Sequence, residues 1–321
     1  MAEVANFRGW LSRQPKYLDL RWNLREGLLR ALRRSRIQRR ILSTPPLWTA
    51  SDGPIEIRVL TWRRDWINLV WALKSFYFFS GVDYPLFIHD GGLLPENVRG
   101  LRRHFPKAHI VSAAEADVEV SERFRKQGLR RCLAYRAHNV PSRKLFDFFS
   151  MSRAECILII DSDIVFFQKP VQLCASPDKI RKNIFHKDQQ YGYALTAEEI
   201  ESSFGIIPVC RIACGLGIVK RESIKFADIE RWLANPKLFD DAWLGEQTLH
   251  ALCSTVYGVD FLPDTYRVST ESGLSPELVC KHYPGFFRPL LYEEGMSHLI
   301  QTGFLDNLRA SWPSADTRSA G

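Results

Sequence analysis

The chain has 321 residues, 45% of them hydrophobic and 12% aromatic, enough for one large domain or two small ones with a sizeable core. It holds no charge-free run of 18 apolar residues, and its N-terminus, MAEVANFRGWLSRQ, lacks the charged start, apolar core and small-residue cleavage site of a secretory leader. A soluble, cytoplasmic protein is expected. The seven cysteines (132, 156, 174, 210, 214, 253, 280) are odd in number and scattered through apolar runs, which argues against a disulfide framework or a zinc ribbon. Cys210 and Cys214 read as small buried hydrophobes.

The net charge of +8 is unevenly spread. Arginine dominates residues 21–40, where Leu24, Leu28, Leu29, Leu32 and Ile37 recur at helical spacing. This predicts a basic amphipathic helix. Such a helix lies on anionic lipid at the inner membrane surface, docks on a partner, or packs one face on the main domain and solvates the other. No signature interleaves aromatic with basic residues as RNA-binding modules do, so nucleic acid is not an expected partner. The Thr44-Pro45-Pro46 break and the Ser51-Asp52-Gly53-Pro54 turn separate this arm, residues 1–50, from a main domain over 51–300 that begins in earnest near Ile55. Residues 301–321 read as a C-terminal tail, disordered from about Ser311.

From Ile55 the pattern alternates: strand at 55–62, helix at 66–79, strand at 84–89, a helix opened by Pro95 and ended by Pro106, and a short strand at 109–112. This is βαβ organisation, an α/β class in which a mainly parallel sheet binds ligands beyond the carboxyl ends of its strands. Residues 115–139 are charge-rich without a clean period and predict a mobile loop or short helices. A helix at 144–151 leads into Cys156-Ile-Leu-Ile-Ile160, the most apolar run in the chain and the expected central strand. Residues 168–193 look irregular, 213–219 form a glycine-bearing apolar run, and 224–233 and 246–253 are helical.

Asp161-Ser162-Asp163 follows that strand directly, so both carboxylates arrive where an open α/β sheet binds its ligand. Two such groups repel unless a cation sits between them, and oxygen ligands suit Mn²⁺ or Mg²⁺ gripping a diphosphate. The alternative is a strand-end turn in which the aspartates cap backbone groups.

The segment Ile157-Leu-Ile-Ile-Asp-Ser-Asp-Ile-Val-Phe166 resembles the Asp-x-Asp strand of GT-A glycosyltransferases, and the element order over 55–299 is similar to that of the glycogenin-like and lipopolysaccharide galactosyltransferase-like members. The resemblance implies a single GT-A-like domain, with a twisted, mainly parallel sheet flanked by helices, a Rossmann-like nucleotide-binding half and an acceptor-side half. It implies a metal and a nucleotide-sugar donor, a UDP-sugar, with Asp161 meeting metal and ribose, Asp163 chelating the metal and Ser162 between them. The acceptor would be a glycan, a glycolipid or a protein. Lys281-His282-Tyr283-Pro284-Gly285 resembles the family's late His-x-x-Gly, which makes His282 the third metal ligand and places Gly285 and Arg288 at the diphosphate. Glu246 and Gln247 match an acidic or amide pair beside the transferred sugar, Glu246 as general base or as stabiliser of an oxocarbenium-like state. A plainer role for Glu246 is a first-turn residue favoured by the helix dipole.

Gly215 and Gly217 resemble the Asn-x-Gly strand whose missing side chains admit the sugar, although Cys214 flanks the first glycine and the Asn is absent. In Leu262-Pro263-Asp264-Thr-Tyr-Arg267, Arg267 stands near an expected Asn. Lys144 and Asp147 match positions around nucleotide and donor, and Thr61 and Asp90 end the first two strands where a nucleobase would sit. Two other readings fit parts of the sequence. A haloacid-dehalogenase-like phosphohydrolase would use Asp161 as nucleophile, but its motif opens the domain, whereas here three βαβ-like elements come first. A non-enzymatic basic binding module would use the Arg-rich helix and nine tryptophans, but the aromatics are spaced as core residues.

Overall fold

The computed structural model describes residues 24–311, with side chains from residue 27 onward; the start of the predicted arm and the tail beyond Ser311 lie outside the described residues. Helix α1 (Leu24–Arg39) and a 3₁₀ turn precede β1 (Ile55–Thr61), α2 (Trp66–Ser80), β2 (Leu86–Asp90), α3 (Pro95–His104) and β3 (His109–Val111). Three helices follow, α4 (Ala113–Lys126), α5 (Arg130–His138) and α6 (Arg143–Met151), and then β4 (Cys156–Ile160) and β5 (Ile164–Phe166). The second half contains β6 (Asn183–Lys187), α7 (Ala197–Phe204), β7 (Ile212–Lys220), α8 (Phe226–Trp232), α9 (Pro236–Phe239), α10 (Gly245–Tyr257), β8 (Val259–Phe261), β9 (Tyr266–Val268) and β10 (Cys280–His282). A helical segment through Arg288–Leu290, a π turn at Leu291–Met296 and α11 (Ser297–Gln301) leads to α12 (Phe304–Ser311).

Seven strands form one sheet in the order β3-β2-β1-β4-β7-β6-β8. The first four run parallel, β7 is antiparallel to both neighbours, and β8 is parallel to β6. A second sheet, β5-β10-β9, stands beside it. Strand β4 explains why the chain folds about this axis. Cys156, Leu158 and Ile160 point into one core and Ile157 and Ile159 into the other, all fully buried. An apolar run buried on both faces is what a central parallel strand requires, and each side chain contributes roughly 1.5–3 kcal/mol.

Three segments are defined more fully by the structure than by the sequence. Residues 113–138 form two regular helices; in α4, Ala116, Val120 and Phe124 recur every fourth residue and are buried, and the Ser112 side chain caps the first turn at Glu115 N. The surrounding charge hid that stripe. The arm packs on the main body, one of the readings its sequence left open: Ile41 and Leu47 lie in the sheet's own core, the Trp71 indole donates to the Gln38 carbonyl at 2.8 Å, and Arg34 pairs with Glu293 at 2.7 Å. The C-terminal stretch also reaches that core through α12, where Phe304 packs on Trp71, Phe78 and Phe79 and Leu305 and Leu308 are buried.

Where the arm meets α2, Lys74 is fully buried and its ammonium donates to Thr44 Oγ1 at 2.7 Å and to the Pro45 carbonyl. Burial, helped by Arg103, lowers its pKa to about 7. The unfolded chain therefore holds a proton on Lys74 that the folded chain releases between about pH 7 and its unperturbed value of about 10.4. This residue's contribution is complete above the upper limit and lost as pH falls through the lower one. Denaturant unfolding should show the wild type gaining stability relative to Lys74→Met as pH rises from 7 to 10, by up to about 1.4 kcal/mol per unit. A pH-independent difference would assign Lys74 an unperturbed ammonium.

Candidate active site

The polar cluster at the end of β4 is built by two backbone pairings. Asp161 N donates to the Gly215 carbonyl at 2.8 Å, extending the β4–β7 ladder by one residue. The chain then turns through Ser162 into β5, where Ile164 pairs with His282 and Tyr283 N donates to the Asp163 carbonyl at 2.9 Å. The small sheet thus delivers His282 from far along the chain to the aspartates. One ligand atom from each of Asp161, Asp163 and His282 lies within 4.8 Å of the others.

Charge compensation surrounds the cluster. Asp163 meets His282 Nε2 at 3.1 Å and Arg288 at 2.8 Å. Burial opposes its ionisation, but His282 and Arg288 outweigh that and hold the carboxyl well below the usual range. Burial likewise disfavours a charged His282, and Asp163 reverses the effect and raises its pKa. On the other side, Lys144 Nζ lies 3.4 Å from Asp161 and 3.7 Å from Glu246. Its charge persists against burial because Asp161, Cys214 and Glu246 all favour it. Burial raises the pKa of Asp161, with Lys144 opposing the shift.

Glu246, in the first turn of α10, is buried and lies 3.2 Å from His250 Nε2, one helical turn on. The Cys214 thiol, kept protonated by burial and the neighbouring carboxylate, donates to Glu246 at 3.3 Å. Against the cost of burial, Lys144, His250 and Cys214 hold Glu246 below the usual carboxylate range. Beside it, the Gln247 amide donates to the Gly192 carbonyl at 2.8 Å, and its oxygen faces Cys214.

Two features suit this cluster to a divalent cation. His282 Nδ1 is buried without a partner. At Gly215, a Cβ would fall 2.5 Å from His282 Cε1 and 2.9 Å from Asp161 Oδ2, so the missing side chain keeps open the space between two of the ligands. Two carboxylates and an imidazole form a donor set that fits Mn²⁺, or Mg²⁺ with water completing the shell.

A cleft of about 630 Å³ opens alongside, lined by Trp62, Asp65, Gly91, Gly92, Leu93 and Arg288 among others. Its walls follow the carboxyl ends of β1 and β2, the ligand-binding edge of such a sheet. Its size is in the range of small-molecule sites. Arg288 joins cleft to cluster, pairing with Asp65 at 3.1 Å while it touches Asp163.

Most of the residues singled out from the sequence meet here: Asp161, Ser162, Asp163, Lys144, Gly215, Glu246, Gln247, His282 and Arg288. Others have different surroundings. Asp147 gives both carboxylate oxygens to the buried Arg136. The absent side chain of Gly217 makes room for the Phe185 ring at 2.5 Å and the Ile184 carbonyl at 2.6 Å, so this glycine serves sheet packing. Asp90 uses one oxygen to accept from Gly92 N and Leu93 N, both at 2.6 Å, shaping the cleft wall. The Thr61 hydroxyl is buried at the end of β1 without a partner. Gly285 has a positive φ of 52° and starts the 3₁₀ turn that leads to Arg288. Sequence reasoning missed Asp65 and His250. Helical spacing from Glu246 could have found the histidine; Asp65 had no local signal.

This sheet order, with its antiparallel β7 beside the motif strand and its small second sheet, is the GT-A glycosyltransferase fold. Galactosyltransferase LgtC, solved in complex with donor and acceptor sugar analogues, matches with a TM-score of 0.51 and 12% identity over 81% of this chain and 97% of that one. An active-site mutant of LgtC gives the same TM-score and coverage at 11% identity. Mouse xyloside xylosyltransferase 1 has a TM-score of 0.45 and 11% identity, over 74% of this chain and 98% of its own. No protein-family model and no curated protein matches the sequence.

Gly215 and Gly217 provide an internal contrast. Gly215→Ala should leave the thermal midpoint within a few degrees and weaken Mn²⁺ binding by about tenfold or more, because the methyl group forces ligands apart. Gly217→Ala should cost about 1–3 kcal/mol in stability through overpacking, with metal affinity preserved in the folded fraction. Calorimetric Mn²⁺ titration beside thermal unfolding reads both, and equal metal affinity in wild type and Gly215→Ala would contradict this account.

Proposed function

We propose that this chain is a metal-dependent glycosyltransferase that moves a hexosyl group from a nucleoside diphosphate sugar, a UDP-sugar, to a glycan, glycolipid or protein acceptor. The observation that carries the reading is the Asp161, Asp163 and His282 cluster at the carboxyl end of β4, joined by Arg288 to a nucleotide-sized cleft. LgtC, of the same fold, was solved with donor and acceptor sugar analogues, and that likeness supports the assignment of substrate class.

In this reading the nucleoside lies in the cleft, with Thr61 at its base, and the diphosphate lies over Arg288 and the aspartates. A bound divalent cation would be held by Asp161, Asp163 and His282, and it supplies charge neutralisation for the departing nucleoside diphosphate. Arg288 exchanges carboxylate partners for phosphate oxygens, a fork geometry suited to both. Glu246, ionised and oriented by Lys144 and His250, stabilises positive charge at the anomeric carbon. Gln247, with its amide fixed on Gly192, sets the wall against which the sugar rests. The phosphohydrolase reading has no such support: β1, β2 and β3 precede the motif strand and join it in one sheet, where that family opens with the motif.

Titrating UDP calorimetrically into metal-stripped protein, with and without Mn²⁺, tests the assignment. Binding should need the metal and disappear in Asp163→Ala. A folded protein that ignores UDP under both conditions would remove the UDP assignment and direct the search to other nucleotides. Once a donor is known, Glu246→Gln should lower kcat about a hundredfold or more while UDP affinity changes little, as expected for a group acting on charge in the transition state.

A further inference from the structure

Helix α1 is held to the body along one side only. Ile37 packs on the core, the Gln38 carbonyl accepts from Trp71, its amide donates to Asn68 at 2.8 Å, and Arg34 pairs with Glu293. The opposite side presents Leu28, Leu29 and Leu32, which are 62%, 54% and 49% exposed. Arg33, Arg36, Arg39 and Arg40 are exposed around that apolar strip, and among the described residues none of them has an acidic partner within ion-pair distance. A solvated face has no use for three leucines in a row along the helix, and a nucleic acid would engage only the arginines.

We infer that this face of α1 docks on an anionic lipid bilayer, lying in the surface plane with its leucines among the acyl chains and its arginines at the phosphates. The occupant must be flat, because the inner side of the helix is committed to α2 and to the π turn at Leu291–Met296 and cannot be wrapped by a groove. A bilayer also takes apolar and cationic side chains from one face together. No described helix is long and apolar enough to cross a membrane, so attachment is peripheral. The inference does not depend on the proposed reaction.

Sedimentation with vesicles tests it. The full chain should partition onto phosphatidylcholine vesicles containing 30% phosphatidylglycerol, on the order of tenfold or more over pure phosphatidylcholine, and the binding should weaken with added salt. Combined Arg33→Glu, Arg36→Glu and Arg39→Glu should abolish the preference, and combined Leu28→Ser, Leu29→Ser and Leu32→Ser should lower binding about tenfold at unchanged charge. Circular dichroism checks that both variants fold. Asp163→Ala should bind vesicles like the wild type, which separates this result from failure of the catalytic reading. Equal partition onto neutral and anionic vesicles, retained binding after charge reversal, or binding to RNA with none to vesicles would overturn the inference.

Discussion

Carboxylates at the end of a fully apolar strand must be compensated, because burial penalises each charge by several kcal/mol when it stands alone. Asp161 and Asp163 sit at that point in β4, and the surrounding architecture supplies their counter-charges from three separate parts of the chain. Lys144 comes from α6, His282 from β10 and Arg288 from the turn beyond it, while Asp65 and Glu246 share the added cations. Lys144 bridges Asp161 and Glu246, and Arg288 bridges Asp163 and Asp65, so removing either leaves two carboxylates short of a counter-charge. A divalent ion fits this network as a stronger source of the same compensation, which links the electrostatics of the fold to the chemistry proposed for it.

Strand β4 and its Asp-Ser-Asp turn were legible because both depend on local pattern: an uninterrupted aliphatic run, then acidic residues that cannot continue it. The alternating first half was legible for the same reason. His282 and Arg288 became visible through motif resemblance, since nothing in Lys281-His282-Tyr283 says where a distant strand will carry it. Asp65 was out of reach. It follows Arg63 and Arg64, a context that reads as a charged loop, and acquires its role only when Arg288 arrives from 223 residues away. The same limit explains α12 and the arm, whose buried residues are few and separated by charge: their membership of the core depends on Trp71 and Phe78, which the local sequence does not reveal.

The π turn at Leu291–Met296 connects the two sides of the molecule. Glu293 points outward to Arg34 on the arm, while its neighbour Glu294 accepts from Lys281 at 2.7 Å and from the Tyr283 hydroxyl at 2.9 Å, the residues flanking His282. Wide helical turns of this kind recur at functional sites, where they let adjacent side chains serve different faces. Here one such pair ties the outer helix and the strand bearing the third candidate ligand to the same short segment.

The meeting of β5 with β10 has a further consequence. Only three residues of each strand pair, and side chains alternate across the ribbon, so sliding the register by one would present Lys281 in place of His282 to the aspartates. An ammonium there cannot ligate a cation. The chain's tolerance of insertions and deletions should therefore be sharply uneven. Exposed loops between β5 and β10, away from β6, β7 and α10, can lengthen or shorten, whereas a single residue gained or lost within either short strand would disrupt the candidate cation site while leaving the large sheet intact.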